Sequence, residues 1–220
     1  MKKFGILFIF LLSLNLLQIL ATDSKIGINI EKDFILNPEA NEPLLKFIST
    51  APLENIEGYV KDYTKIKSWA KLNPANLESL TGEISFPVQT IKTGISTRDK
   101  HLYSSTWLDT EKYPDIKFTI KQIKNVKVVQ SNNESSKIDL IINGNYSMHG
   151  KTKNIDVNCN ITYLKENEKT KKRASGDLMS VEGKFEIDLK DFDVKGKEGV
   201  IGSKVGEKIT IEFKLFYSSK

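Results

Sequence analysis

Residues 140–163 read LIINGNYSMHGKTKNIDVNCNITY, and the fold is decided there. Leu140, Ile142, Gly144, Tyr146 and Met148 take every second position, with Asn143, Asn145 and Ser147 among the residues between. After a short polar link the pattern resumes at Ile155, Val157, Cys159, Ile161 and Tyr163, alternating with Asp156, Asn158, Asn160 and Thr162. A period of two sends successive side chains to opposite faces of a strand, so each run is a half-buried strand with one wet face. The link, MHGKTK at 148–153, is short and polar and contains Gly150. It predicts an antiparallel hairpin.

The same period recurs outward from this hairpin. Ile84, Phe86 and Val88 alternate with other residues, as do Ile116, Phe118 and Ile120. Towards the C-terminus come Val181, Gly183, Phe185, Ile187 and Leu189, then Ile209, Ile211, Phe213, Leu215 and Tyr217. Many antiparallel strands with one apolar face make a sandwich or a barrel, and a closed barrel leaves no unpaired edge. The pattern is therefore all-β and antiparallel, a sandwich or, more attractive for its lack of edges, a single closed barrel. Strand parity places Phe86, Phe118, Ile142, Tyr146, Phe185, Ile187, Ile211 and Phe213 on its inner face. The small or soft residues Gly144, Met148, Cys159 and Gly183 share that face and are expected to leave room among the large ones. Two stretches break the pattern. Residues 63–80 carry Pro74 in their middle and do not read as strand, and residues 98–110 read as a short helix plus loop at one end of the barrel.

The N-terminus has the order of a secretory signal. Lys2 and Lys3 precede an apolar run over residues 4–20, and Ala21 follows. Residues 1–21 are accordingly expected to be a signal peptide and the protein to be periplasmic or secreted; an uncleaved anchor is the rival reading. Residues 22–43 are expected to lead into the barrel and residues 44–220 to form it. The formal charge of +5 drops with the loss of Lys2 and Lys3, and both signs are interleaved along the chain. That describes a solvated surface and not a nucleic-acid footprint. Cys159 is the single cysteine, so no intrachain disulfide can form, and with no basic neighbour it reads as a buried apolar residue.

A second stretch, TGISTRDKHLYSSTWLDTEKYPDIKF at 93–118, has a composition that no simple period explains. It sets Thr97, Arg98, Asp99 and His101 ahead of Trp107, Leu108 and Asp109, and then runs through Lys112, Tyr113 and Pro114 into a strand. This order resembles the signature of the YceI-like family. Gly144, Gly150, Thr152 and Lys153 are similar to a second signature of that family, and the segment 183–194 with Asp191 and Phe192 to a third. The resemblance implies an exported bacterial protein with a lipocalin-like barrel that holds an amphiphilic lipid, in known cases an isoprenoid. It implies no cofactor, and a homodimer is compatible with it.

Two functional readings follow. In the first, the barrel is a non-catalytic carrier or store of an amphiphile such as a polyisoprenoid or isoprenoid quinone. Phe86, Phe118, Ile142, Tyr146, Met148, Phe185, Ile187, Ile211 and Phe213 then line an apolar tunnel, and Arg98, Asp99 and His101 form a polar mouth. In the second, the barrel is filled and the protein is an exported structural or interaction partner. The polar cluster is equally open: Arg98 offers a donor fork, Asp99 an acceptor and His101 a switchable group for a headgroup, or they clamp the helical turn. Catalytic chemistry finds little support. Ser96, Asp99 and His101 crowd too closely for a relay, and no nucleophile elbow is present. A metal site is not expected, because the two histidines, His101 and His149, are far apart and there is no cysteine pair.

Overall fold

The structure is a computed structural model and describes residues 29–40 and 42–220. The hairpin at 140–163 forms as its alternation requires. Strand β8 (Ser135–Met148) pairs with β9 (Lys151–Leu164) along their whole length, from Ser135↔Leu164 to Met148↔Lys151. On β8 the buried residues are Ser136, Ile138, Leu140, Ile142, Gly144, Tyr146 and Met148, an unbroken period of two. The turn is two residues, His149 and Gly150, both left-handed with φ of 51° and 72°. That is the primed turn whose twist matches paired strands.

The remaining strands close around this pair. They are β1 (Lys32–Leu36), β2 (Leu44–Thr50), β3 (Asn55–Val60), β4 (Lys67–Asn73), β5 (Asn76–Pro87), β6 (Ile91–Lys92), β7 (Asp115–Ser131), β10 (Leu178–Asp188) and β11 (Lys208–Ser219). Eight of them, in the order β1-β4-β5-β7-β8-β9-β10-β11, form a ring that the pairing of β1 with β11 closes. Every neighbouring pair in the ring is antiparallel. The short strands β2, β3 and β6 extend from the other part of β11. β1 and β2 share one edge of β11: Leu36 stands opposite Tyr217 and Leu44 opposite Lys214. The sole α-helix among the described residues, α1 (Ser96–Tyr103), sits at the end of β6, where a short helix was expected.

Two expectations need correction. Within residues 63–80, read as non-strand, Tyr63–Lys65 make a 3-10 turn, but Lys67–Asn73 form β4 and residues 76–80 begin β5. Pro74 does not interrupt a strand; with Ala75 it makes the turn between them, where its fixed φ is an asset. Asn73 supports that turn by accepting the Ala75 N–H on its side chain at 3.0 Å. The alternation is obscured by a bulge: Lys71 pairs with Thr81 but Asn73 with Asn76, so residues 77–80 stand opposite Leu72 alone. Leu77 and Leu80 are both buried despite their odd spacing. Secondly, the barrel begins upstream of residue 44, because the segment expected to lead into it supplies β1, which closes the ring. The expected signal, residues 1–21, lies outside the described residues.

The interior divides into two packed clusters. One, around Phe34, Leu72, Ile138, Tyr163 and Met179, seals the end remote from α1. There Asp177, 6% exposed, accepts from Lys32, from the Tyr163 hydroxyl and from the Glu166 N–H. The other, around Val88, Leu108, Tyr146, Phe192 and Ile209, lies under α1.

Candidate functional site

Between the two clusters the barrel is hollow. A cavity of about 140 Å³ lies in its centre, and a second of about 250 Å³ lies towards α1. Phe47, Ile91, Ile116, Tyr146 and Ile211 line both, so the two adjoin and share a wall. All nine residues that parity assigned to the tunnel border these cavities. Phe86, Phe118, Ile142, Phe185 and Phe213 line the central cavity, Met148 and Ile187 line the outer one, and Tyr146 and Ile211 line both.

The polar cluster is split by the fold. Arg98 and His101 line the outer cavity, together with Glu54 and Lys204. His101 is exposed, so the cavity reaches the surface there. Arg98 pairs with Glu54 from the β2–β3 loop. Asp99 turns the other way. It is buried and accepts from the Thr93 N–H at 2.8 Å and the Thr93 hydroxyl at 2.7 Å, which ties the start of α1 to the end of β6. The expectation that Asp99 borders the mouth is therefore corrected: its side chain is consumed in holding the helix that carries Arg98 and His101.

The other two motifs are structural. His149 places Nδ1 2.7 Å from the Phe192 carbonyl, Lys151 pairs with Asp193 at 2.8 Å, and Lys153 lies 3.6 Å from Asp191. The hairpin turn is thus fastened to the 3-10 turn Leu189–Phe192 that follows β10. The Tyr113 ring covers Gly150, where a Cβ would come within 2.4 Å of it, so the third element of the 93–118 motif braces the same turn.

The central cavity supplies apolar area and suppressed ionisation. Burial pushes the Cys159 thiol up to about 12 and drives the Tyr146 phenol well above its ordinary value. Burial likewise raises Tyr217 to about 12, although its hydrogen bond with Ser68 pulls the other way. Lys46 and Glu83 border the cavity, but their charges are engaged elsewhere, Lys46 with Glu212 at 3.1 Å and Glu83 with Lys117 at 2.8 Å. Among the described residues no group of three or more His, Cys, Asp or Glu could hold a metal ion. Sequence reasoning missed the contributions of Leu45, Phe47 and Gly58 from β2 and β3. Leu45, Phe47 and Ser49 do alternate, but the run is too short to stand out.

The model of the YceI-like domain family matches residues 38–217. The chain belongs to the YceI-like family. Protein YceI of Escherichia coli O17:K52:H18 is 26% identical over 189 residues, covering 84% of this chain and 88% of that one. Among solved structures, Burkholderia cenocepacia BcnA aligns with a TM-score of 0.63 at 18% identity, over 83% of this chain and 99% of BcnA. A polyisoprenoid binding domain from Saccharophagus degradans aligns with a TM-score of 0.60 at 13% identity, over 85% and 98% of the two chains. At these identities the structural neighbours bear on the fold alone, and the fold they share is this barrel. No helix among the described residues of the YceI-like chain is long and apolar enough to cross a membrane.

Proposed function

We propose that this YceI-like barrel is a non-catalytic carrier or store of an amphiphilic lipid, a polyisoprenoid or an isoprenoid quinone. The observation that carries the reading is the pair of adjoining cavities: a centre lined almost wholly by apolar side chains and an outer space bordered by Arg98 and His101. The lipid chain runs against Phe86, Phe118, Ile142, Phe185 and Phe213, passes between the cavities beside Tyr146 and Ile211, and brings its polar end past Met148 and Ile187 to the mouth. Each methylene removed from water contributes about 0.8 kcal/mol. Binding therefore scales with chain length and needs no ionised group in the centre. Arg98 and His101 supply donors for the headgroup. Membership of the YceI-like family, and a neighbour described as a polyisoprenoid binding domain, support the ligand class. The filled-barrel alternative gains nothing from a lumen of this size. The N-terminal order of residues 1–21 supports removal of a signal and a periplasmic or secreted protein. The reading does not depend on whether two copies pair.

Native mass spectrometry of protein purified from the periplasm, with organic extraction of the adduct, tests this. A lipid mass is expected on wild type and not on Met148→Trp, which fills the outer cavity. Overpacking an already filled site would cost about 1–3 kcal/mol, whereas filling an empty one costs less. Absence of any lipid from wild type, together with strong destabilisation of Met148→Trp, would overturn the carrier reading. Normal lipid loading in both Arg98→Ala and His101→Ala would leave the tunnel standing and remove the headgroup role.

A further inference from the structure

Inward phenylalanines ordinarily fill a barrel of eight strands, whose interior is just wide enough for side chains or one small ligand. Three that border the lumen here are seated against glycines. Phe47 on β2, Phe118 on β7 and Phe213 on β11 each lie flat over a glycine of the neighbouring strand. A Cβ on Gly58 would stand 2.2 Å from Cε1 of Phe47, one on Gly144 2.3 Å from Cζ of Phe118, and one on Gly183 2.5 Å from Cζ of Phe213. Phe47 faces Gly58 directly across its ladder, as Phe213 faces Gly183; Phe118 reaches Gly144 diagonally, since Gly144 stands opposite Ile120. None of these three glycines has a positive φ, so their backbone conformation does not call for glycine. Space does. Each missing side chain is the berth of a ring, and all three rings border the central cavity.

We propose that Gly58, Gly144 and Gly183 set the bore of the tunnel and thereby its selectivity, admitting a methyl-branched hydrocarbon chain where projecting rings would pass only a straight one. This rests on the carrier reading. A Cβ at any of the three overlaps its ring, and because each ring borders the cavity, displacing it narrows the lumen. The bore is thus set by pairs of residues on neighbouring strands: a ring and the glycine that berths it.

The test compares a polyprenol with a straight-chain fatty amide, both titrated into delipidated protein, for wild type, Gly144→Ala, Gly183→Ala and the double variant Gly144→Ala/Phe118→Leu. A methyl-sized misfit in an apolar pocket is worth about 10- to 200-fold. That loss is expected for the polyprenol in each single variant, with the fatty amide little changed, and the double variant should regain the polyprenol. Equal binding of both probes by the single variants, or no rescue by Phe118→Leu, overturns the proposal. Should Gly144→Ala fail to fold, Gly183→Ala and its partner Gly183→Ala/Phe213→Leu decide the matter in the same way. If wild type takes up neither probe, the carrier reading falls by itself. The bore is then judged from a crystal structure of Gly144→Ala: the Phe118 ring turned into the lumen supports it, and a ring still flat on β8 refutes it.

Discussion

Tyr146 shows what burial does to a single group. Its hydroxyl lies 3.8 Å from the Met148 sulfur, a weak acceptor, and burial raises its pKa well above the ordinary phenol. A raised pKa means that the folded state holds its proton more tightly than the unfolded one. The stability this gives is complete below the unfolded value of about 10 and is lost as pH rises above it, by up to about 1.4 kcal/mol per pH unit for one group. Tyr163 and Tyr217 are raised as well, Tyr163 by burial and by its bond to Asp177. Tyr146→Phe should change stability at neutral pH by less than about 1 kcal/mol, since it gives up only a weak hydrogen bond. Urea unfolding at about pH 8 and again at about pH 11, on either side of the free phenol pKa, should show a smaller alkaline loss in the variant than in wild type. Equal losses would place the alkaline sensitivity elsewhere.

At the scale of elements, the two ends of the barrel are held by different chemistry. At the end remote from α1, Asp177 joins β1 to the loop before β10. Burial works to raise its pKa, but hydrogen bonds from Lys32, Tyr163 and the Glu166 N–H outweigh burial and leave it lowered. A lowered carboxyl stabilises the fold above its unfolded value of about 4, and the contribution fades as pH falls through the folded one. Asp177→Ala leaves buried donors unpaired and should cost about 1–3 kcal/mol at neutral pH. The gap between variant and wild type should narrow in acid, which denaturant titrations below about pH 4 would reveal. At the other end, the turn at Gly150 needs glycine for two reasons, its φ of 72° and the Tyr113 ring against it. Gly150→Ala should lower the urea midpoint by the equivalent of more than about 1 kcal/mol, because alanine meets strain where φ is positive. A neutral result would mean that the hairpin tolerates another turn.

For the whole molecule, the carrier reading makes a ligand held in the lumen part of the fold's stability. A lipid that binds only the folded barrel adds about 2.7 kcal/mol when present at a hundredfold excess over its Kd. Organic extraction should therefore lower the melting temperature, and polyprenol returned to the delipidated protein should restore it in proportion to the logarithm of its concentration. A melting temperature indifferent to extraction would argue that wild type carries nothing. No comparable change is expected from chelators, since the described barrel offers no metal-binding cluster.

Local pattern was sufficient for much of this. Parity is a property of one strand's backbone, so β8 to β11 and the nine lumen residues could be read without knowing which strand lay beside which. The hairpin at Gly150 was equally legible, because a turn carries its own chemistry. Strand β4 and the start of β5 were not, since four residues bulge opposite Leu72 and hide the period that a regular ladder would keep. Arg98, Asp99 and His101 were visible as a group, but a helix of eight residues sends neighbouring side chains in different directions, and only the fold shows Asp99 bound to Thr93. Whether the barrel is hollow was beyond any local pattern. It depends on which glycine stands under which ring, and Phe213 is thirty positions from Gly183 in the chain but directly across from it in the sheet. Composition and period say which side chains face inward; the register between strands decides whether they fill the space or leave it open.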